Sequence, residues 1–514
     1  MRRHVTPHTT PMPLPKGLHQ HLRSKAVLTG MSLLIAVSIT GCGLVRHSLR
    51  QAPAQERDFG PAISVATRMQ NDSPISKLAF YPNGPGVVIC TPVASTGLSN
   101  FGQGVGGWLE VEVAGQTQFG KSPAFANLKR AAQEMHSPGL AIDTPQRAGR
   151  LTRIAGATVA ALGTLRGAPG HCRLTYRLYS LSDNRPVGAP ITAEGSEEQI
   201  AAQLPAIAAK LARGLGAAHP HIPGVTGLSA ADLEFLGPLS TTMGNVTAAQ
   251  RAKLQTLARH ATLAAVLSLR SAHDSPAAGP AADLLLMKSS NPIAVSEVAI
   301  DLPEALAPHA EAIQDLANQN PENYLYALSS VWLYRQIRQP LQERKAAEAT
   351  MQCAPNSPDA WLTLGYTISN EAQGIRHAKS FDDMTSQEQD FVTALYPDWV
   401  YCTKHATELD PFFGKAWLRL ATASTFDGDK AQADTAFWQA LKLDPEKAEV
   451  YPWGLEMYQP KWFDDPTKLA TVAGMAANEN YATQADVDTI AQDLADAGFT
   501  HEEEMLRNRY TARN

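Results

Sequence analysis

The apolar spacing changes twice along the chain, and each change marks a different kind of element. Val87-Val88-Ile89-Cys90 is a continuous, mostly β-branched run, the pattern of a strand buried on both faces. Phe101, Val105, Trp108 and Leu109 then fall at helical spacing. Ala157 to Leu165 reads as a strand ending at the turn Gly167-Ala168-Pro169-Gly170. Beyond it Cys172, Leu174, Tyr176 and Leu178 alternate with Arg173, Thr175 and Arg177, predicting a half-exposed strand that pairs with its predecessor as a hairpin. Asp183-Asn184 makes a second turn before Val187 to Thr192. Ser196 with Glu198 and Gln199 caps a helix that carries Ile200, Leu204, Ile207, Ala208 and Leu211 on one face. Residues 75–220 are thus expected to form a small α/β sandwich.

From 221 to 320 the chain is rich in Ala and Leu and broken at Pro276, Pro280, Pro292 and Pro303, which predicts two or three degenerate helical hairpins. A sharper pattern begins at Gly414. Trp417, Leu420, Ala421, Ala433, Phe437, Ala440 and Pro445 occur in the order and spacing of the tetratricopeptide repeat, and residues 321–514 resemble an array of such repeats. The physical reason is that large residues on helix A need small residues on helix B to let the two helices approach. Pro411 and Pro445 each close a Leu-Asp-Pro tail, Tyr451 follows Trp417 by one period, and Trp361, Leu364 and Gly365 open an earlier repeat. Trp361 and Trp417 stand further apart than one period, so extra residues are expected in 373–390. The fold class expected is α+β, a small α/β sandwich domain followed by a mostly α-helical tetratricopeptide-like array.

The amino-terminal region has a different logic. Arg23 and Lys25 precede the uncharged stretch Ala26 to Gly41, the layout of a secretory signal, and its helical length of about 24 Å is short for a bilayer core. Ile39-Thr40-Gly41-Cys42 resembles a bacterial lipobox. The resemblance implies cleavage after Gly41, a lipid on Cys42, a signal peptide over 1–41 and a tether over 42–74. Gly43, where an inner-membrane retention signal would hold aspartate, implies the periplasmic face of the outer membrane. Gly156-Ala157, Gly163, the strand Leu174 to Leu178 and the closing helix resemble the amino-terminal α/β domain of TolB and related envelope proteins, which implies a binding or assembly module.

Charge and chemistry narrow the function. The net charge is -5, and the leader contributes only basic groups (Arg2, Arg3, Lys16, Arg23 and Lys25), so the rest of the chain is more acidic still and no nucleic-acid partner is expected. The sequence permits but does not require Cys90–Cys172 and Cys353–Cys402 bridges. Gly102, Gly104 and Gly107 spell a formal G-x-G-x-x-G, but too far behind the strand at Cys90 for a dinucleotide site. Gly97-Leu98-Ser99-Asn100-Phe101 fails the nucleophile elbow, His501 to Met505 lacks a second histidine, and Asp382-Asp383 and Asp464-Asp465 read as solvated turns. No catalytic residue, cofactor or metal is assigned. Lys415 and Arg419, four apart on one helix face, resemble the basic pair with which chaperone-binding repeat domains clamp a peptide carboxylate. The expected function is a lipid-anchored envelope scaffold that binds a protein or peptide partner in a repeat groove. The alternative is a small-ligand binder or enzyme with its site between the α/β domain and the repeats, near Asn100 or His171.

Overall fold

The computed structural model describes residues 86–114, 125–215, 226–241, 246–272, 291–301, 310–321, 323–376, 379–443, 447–481 and 483–513. The expected signal peptide over 1–41, Cys42 and the expected tether over 42–74 lie outside these residues. The described residues fall into two compact units, 86–443 and 447–513. The architecture is α+β.

The first unit opens with strands β1 (Val87–Ile89) and β2 (Val93–Ala94) and helix α1 (Ser99–Ala114). Helices α2 (Phe125–Glu134), α3 (Pro145–Ala148) and α4 (Arg150–Ala155) follow, then β3 (Val159–Ala168), β4 (His171–Ser180), β5 (Arg185–Gly195) and helix α5 (Glu197–Gly214). The sheet runs β1-β3-β4-β5, with β2 also pairing β3; β1 and β2 lie parallel to β3, and β3, β4 and β5 are antiparallel. Strand alternation splits the core into two layers. Val87, Ile89, Ala161, Leu165, Leu174, Tyr176 and Leu178 face α1 and α5. Val88, Cys90, Ala160 and Leu162 face Ala131 of α2 and Ala148, Leu151 and Ile154 of α3 and α4. Tyr176 is fully buried and donates its hydroxyl to the Cys90 carbonyl at 3.0 Å. Its ring lies over Gly163, where a Cβ would fall 2.7 Å from the ring. Helix α5 begins with the capping box of Ser196 and Gln199.

Helices α6 (Ala230–Thr241), α7 (Ala248–Leu257), α8 (Thr262–Ala272), α9 (Pro292–Asp301) and α10 (Ala310–Gln319) come next. The glycines of the formal G-x-G-x-x-G gain their explanation here. All of them lie inside α1, and a Cβ on Gly104 would sit 2.0 Å from the Leu233 carbonyl oxygen of α6, while one on Gly106 would sit 2.8 Å from Thr91 Cα. Gly237 of α6 returns the relation, its Cβ position 2.0 Å from the Asn100 carbonyl. These glycines let α1, α6 and the β1–β2 segment touch backbone to backbone. Helix α6, expected among the repeat hairpins, therefore packs on the α/β module.

Three helical hairpins follow: α11 (Tyr324–Gln336) with α12 (Pro340–Cys353), α13 (Pro358–Arg376) with α14 (Ser386–Leu409), and α15 (Gly414–Asp427) with α16 (Lys430–Leu443). The repeat register has a visible cause. Trp361 Nε1 donates to the Pro355 carbonyl at 2.7 Å and Trp417 Nε1 to that of Pro411 at 2.8 Å, so each indole locks the turn that precedes its own hairpin. At the first hairpin Ala327 holds the tryptophan position, and the Cys353 thiol meets the Pro321 carbonyl instead. Gly365 admits close approach of Thr403, and Ala433, Phe437 and Ala440 are buried in the last hairpin. The extra residues go into helix as well as loop, since α13 has 19 residues and α14 has 24, against 14 in α12, α15 and α16.

The second unit holds α17 (Lys447–Met457), α18 (Pro466–Asn478), α19 (Gln484–Asp496) and α20 (Thr500–Arg513), with Val472, Ala476, Val487, Ile490 and Leu494 buried among them. Among the described residues no helix is long and apolar enough to cross a membrane. Cys90, Cys172, Cys353 and Cys402 are all buried free thiols, so neither bridge that the sequence permits is formed.

Candidate interaction site

The basic pair Lys415 and Arg419 shares the face of α15, as its spacing requires, but the two cations meet different surroundings. Arg419 is buried. Its Nε donates to the Tyr366 hydroxyl at 2.7 Å and its guanidinium lies 4.6 Å from the centre of that ring, so it ties α15 to α13. Lys415 is half-buried and faces Asp359, the residue at the equivalent place in the preceding repeat.

Asp359 leads into a charged hub where the α/β module meets the repeats. Asp410, from the Leu-Asp-Pro turn before α15, is fully buried and accepts from two arginines of the module. Arg130 of α2 reaches one oxygen at 2.7 Å, and Arg153 of α4 pairs with the other. Arg130 also bonds Glu134 at 3.0 Å, the Ile154 carbonyl at 2.7 Å and Asp359 at 3.2 Å. Two phenylalanines complete the clamp: the Arg130 guanidinium lies 3.8 Å from the Phe413 ring centre and that of Arg153 lies 4.8 Å from Phe412. Burial raises the carboxyls of Asp359 and Glu134, against the pull of the arginines. Burial likewise opposes the Arg130 charge, but Asp359, Asp410 and Glu134 outweigh it and hold that group above its ordinary range. Three carboxylates thus face Arg130, Arg153 and Lys415, and the charges balance only when Lys415 is included. Low-dielectric surroundings make that balance matter, because a leftover buried charge is expensive. These side chains meet at the junction near which a ligand site was one expectation. His171, by contrast, stands at an exposed hairpin tip and Asn100 at the exposed start of α1.

A second charged cluster lies within the repeats. Arg344 of α12 is buried between Glu348 at 2.7 Å, Glu371 of α13 at 3.4 Å and Asp398 of α14 at 3.6 Å. Its role is to hold three helices together.

The hairpins also leave aromatic surface uncovered. On α14 the rings of Tyr401 and His405 stack at 6.2 Å, and His405 meets the buried Trp361 edge-on at 4.4 Å. Tyr401 is 41% exposed and Phe412, just past the end of α14, is 62% exposed. The acidic pairs are local: Ser380 donates to Asp383 in a 3-10 turn and Asp465 caps α18. No group of three metal-ligating side chains occurs among the described residues. Sequence reasoning missed Arg130, Arg153 and Asp410. The available signal was Phe412-Phe413 directly after the repeated Leu-Asp-Pro tail.

No family model and no curated protein matches the chain. Among solved structures it is similar at 12% identity to three of IFIT1. A monomeric mutant with Gppp-AAAA matches over 55% of this chain and 70% of that one, with a TM-score of 0.39. A second monomeric mutant with m7Gppp-AAAA matches over 60% and 75%, at 0.40. The human IFIT1 dimer with m7Gppp-AAAA matches over 58% and 74%, at 0.36. At such scores the likeness carries no argument about what this chain binds.

Proposed function

We propose that the chain is a lipid-anchored scaffold of the bacterial envelope, held at Cys42, that binds a protein or peptide partner through its helical repeats. The observation that carries this reading is the row of helical hairpins itself. Trp361 and Trp417 lock successive turns, and Tyr401 and Phe412 stay exposed beside them, as expected of a repeat surface that meets another protein. The hub at Asp410 joins that surface to the module that follows the anchor, so a partner would be held at a defined orientation to the module. Arg419 serves packing in this reading, which moves the expected contact from the Lys415–Arg419 pair towards the exposed rings.

Two measurements test it separately. Metabolic labelling with palmitate should mark the wild-type chain and not Cys42→Ser; an unlabelled wild type refutes the anchor. A photo-crosslinking amino acid at Tyr401 or Phe412 should give a discrete adduct with one envelope protein in cells. Absence of any adduct at both positions, with the chain present at normal level, refutes the repeat surface.

A further inference from the structure

Among the described residues, the helices on the second face of the sheet cover only half of it. Ala160, Leu162 and Leu181 are buried under α2, α3 and α4. Beyond them the strand register sets out two open rows. Thr164 pairs with Thr175 and Thr175 with Thr192; Arg166 pairs with Arg173 and Arg173 with Glu194. Arg177 lies on the same face, paired with Leu162. Like charges directly across a strand pair repel. Glu194 relieves only Arg173, accepting from its Nε at 3.0 Å and Nη2 at 2.6 Å. The guanidiniums of Arg166 and Arg177 have no ion-pair or hydrogen-bond partner among the described residues, nor do those of Arg147 on α3 and Arg150 at the start of α4. Helix α3 lies against β3, so all these cations belong to one side of the module. Of the seven arginines in residues 144–195, Arg153 is taken by Asp410, Arg173 by Glu194 and Arg185 by Asp183, which leaves Arg147, Arg150, Arg166 and Arg177 uncompensated.

We infer that this arginine–threonine face of the sheet docks on the anionic headgroups of a membrane. The choice of a membrane rests on the reading of Cys42 as the lipid anchor, since the module is the first described part of the chain after that residue. The chemistry fits independently. Guanidinium presents paired donors to phosphate oxygens, and short threonine side chains keep the surface low enough for several headgroups to reach the arginines at once. A single-stranded nucleic acid would instead call for aromatic platforms between the cations, and these two rows offer threonine.

The test uses the full chain carrying Cys42→Ser, which removes the lipid from the question. Its sedimentation with phosphatidylglycerol-rich vesicles is compared with phosphatidylcholine vesicles, and because the basic leader also favours anionic lipid, the deciding quantity is the change of this ratio on substitution in the sheet face. The ratio should exceed one and fall with added salt. Arg166→Gln with Arg177→Gln should lower it about fivefold per arginine, and Arg147→Gln with Arg150→Gln should do the same should the first pair fail to fold. A ratio of one, a ratio that neither pair of substitutions changes, or capture of a single-stranded oligonucleotide in preference to vesicles overturns the inference. Palmitate labelling reports on the anchor by itself, so a missing label with an intact vesicle preference sinks the anchor and leaves the face.

Discussion

Arg130 and Asp410 are 280 positions apart in the chain and 2.7 Å apart in the fold, and the bond between them spans the seam between the α/β module and the repeats. Asp410 is wholly buried and also serves Arg153. Asp410→Ala would leave two guanidiniums facing a cavity with no carboxylate, and is expected to cost about 3–5 kcal/mol in urea unfolding. Asp410→Asn keeps the shape but not the charge and should cost less. Combined with Arg130→Gln it should cost less than the two single losses added, since the substitutions share one interaction. Additive losses would mean that the pair does not couple the two halves.

Glycine offers a second check, because the same substitution has opposite signs at two places. Gly104→Ala puts a methyl group 2.0 Å from the Leu233 carbonyl, so α1 and α6 must separate; a loss of about 1–3 kcal/mol is expected. Gly474, in the middle of α18, has nothing within 4 Å of its Cβ position. There Gly474→Ala should gain about 0.5–1 kcal/mol of helix stability. Thermal melts followed by circular dichroism read both, and a neutral Gly104→Ala would refute the backbone-contact explanation of the glycine run.

What could be read before the fold was known follows from range. Trp361 and Trp417 each bond a carbonyl six residues earlier, so a local pattern carries their role, and the alternation of Leu174, Tyr176 and Leu178 carries that of β4. Asp410 takes its partners from 257 and 280 positions away, and no spacing rule reaches that far. The glycines of α1 were visible as a motif, but the atoms that demand them, on Thr91 and Leu233, belong to other elements. Arg419 stands four residues after Lys415, a spacing visible in the sequence, yet the Tyr366 hydroxyl that turns it inward comes from the neighbouring hairpin.

Arg419 and Lys415 should therefore separate on substitution. Arg419→Ala removes a charged hydrogen bond to Tyr366 and the stacking beneath it, with an expected loss of about 1.5–3 kcal/mol. Tyr366→Phe should reproduce the hydrogen-bond part of that loss. Lys415→Ala leaves the hub one positive charge short at a half-buried position, and a loss of up to about 1 kcal/mol is expected. Equal stability of Arg419→Ala and wild type in urea would return this arginine to the groove as a free ligand-binding cation.

Glu112, buried in α1, makes stability depend on pH with a definite sign. Burial raises its carboxyl from 4.5 to about 7, against a hydrogen bond with Thr262 that pulls the other way. The unfolded chain releases this proton near pH 4.5, while the folded chain keeps it to about 7. Between those values the folded state binds more protons, so stability falls as pH rises through the window and levels off above it. The fall amounts to about 3 kcal/mol at 1.36 kcal/mol per unit. Glu112→Gln cannot titrate, so its stability should match that of the wild type near pH 4.5 and exceed it increasingly towards about pH 8. Asp493 in the second unit is also raised to about 7, chiefly by burial, but its slope is common to both proteins and cancels in their difference. Urea unfolding of the two proteins across this range measures that difference directly, and one that stays constant with pH would show that Glu112 is not the group responsible.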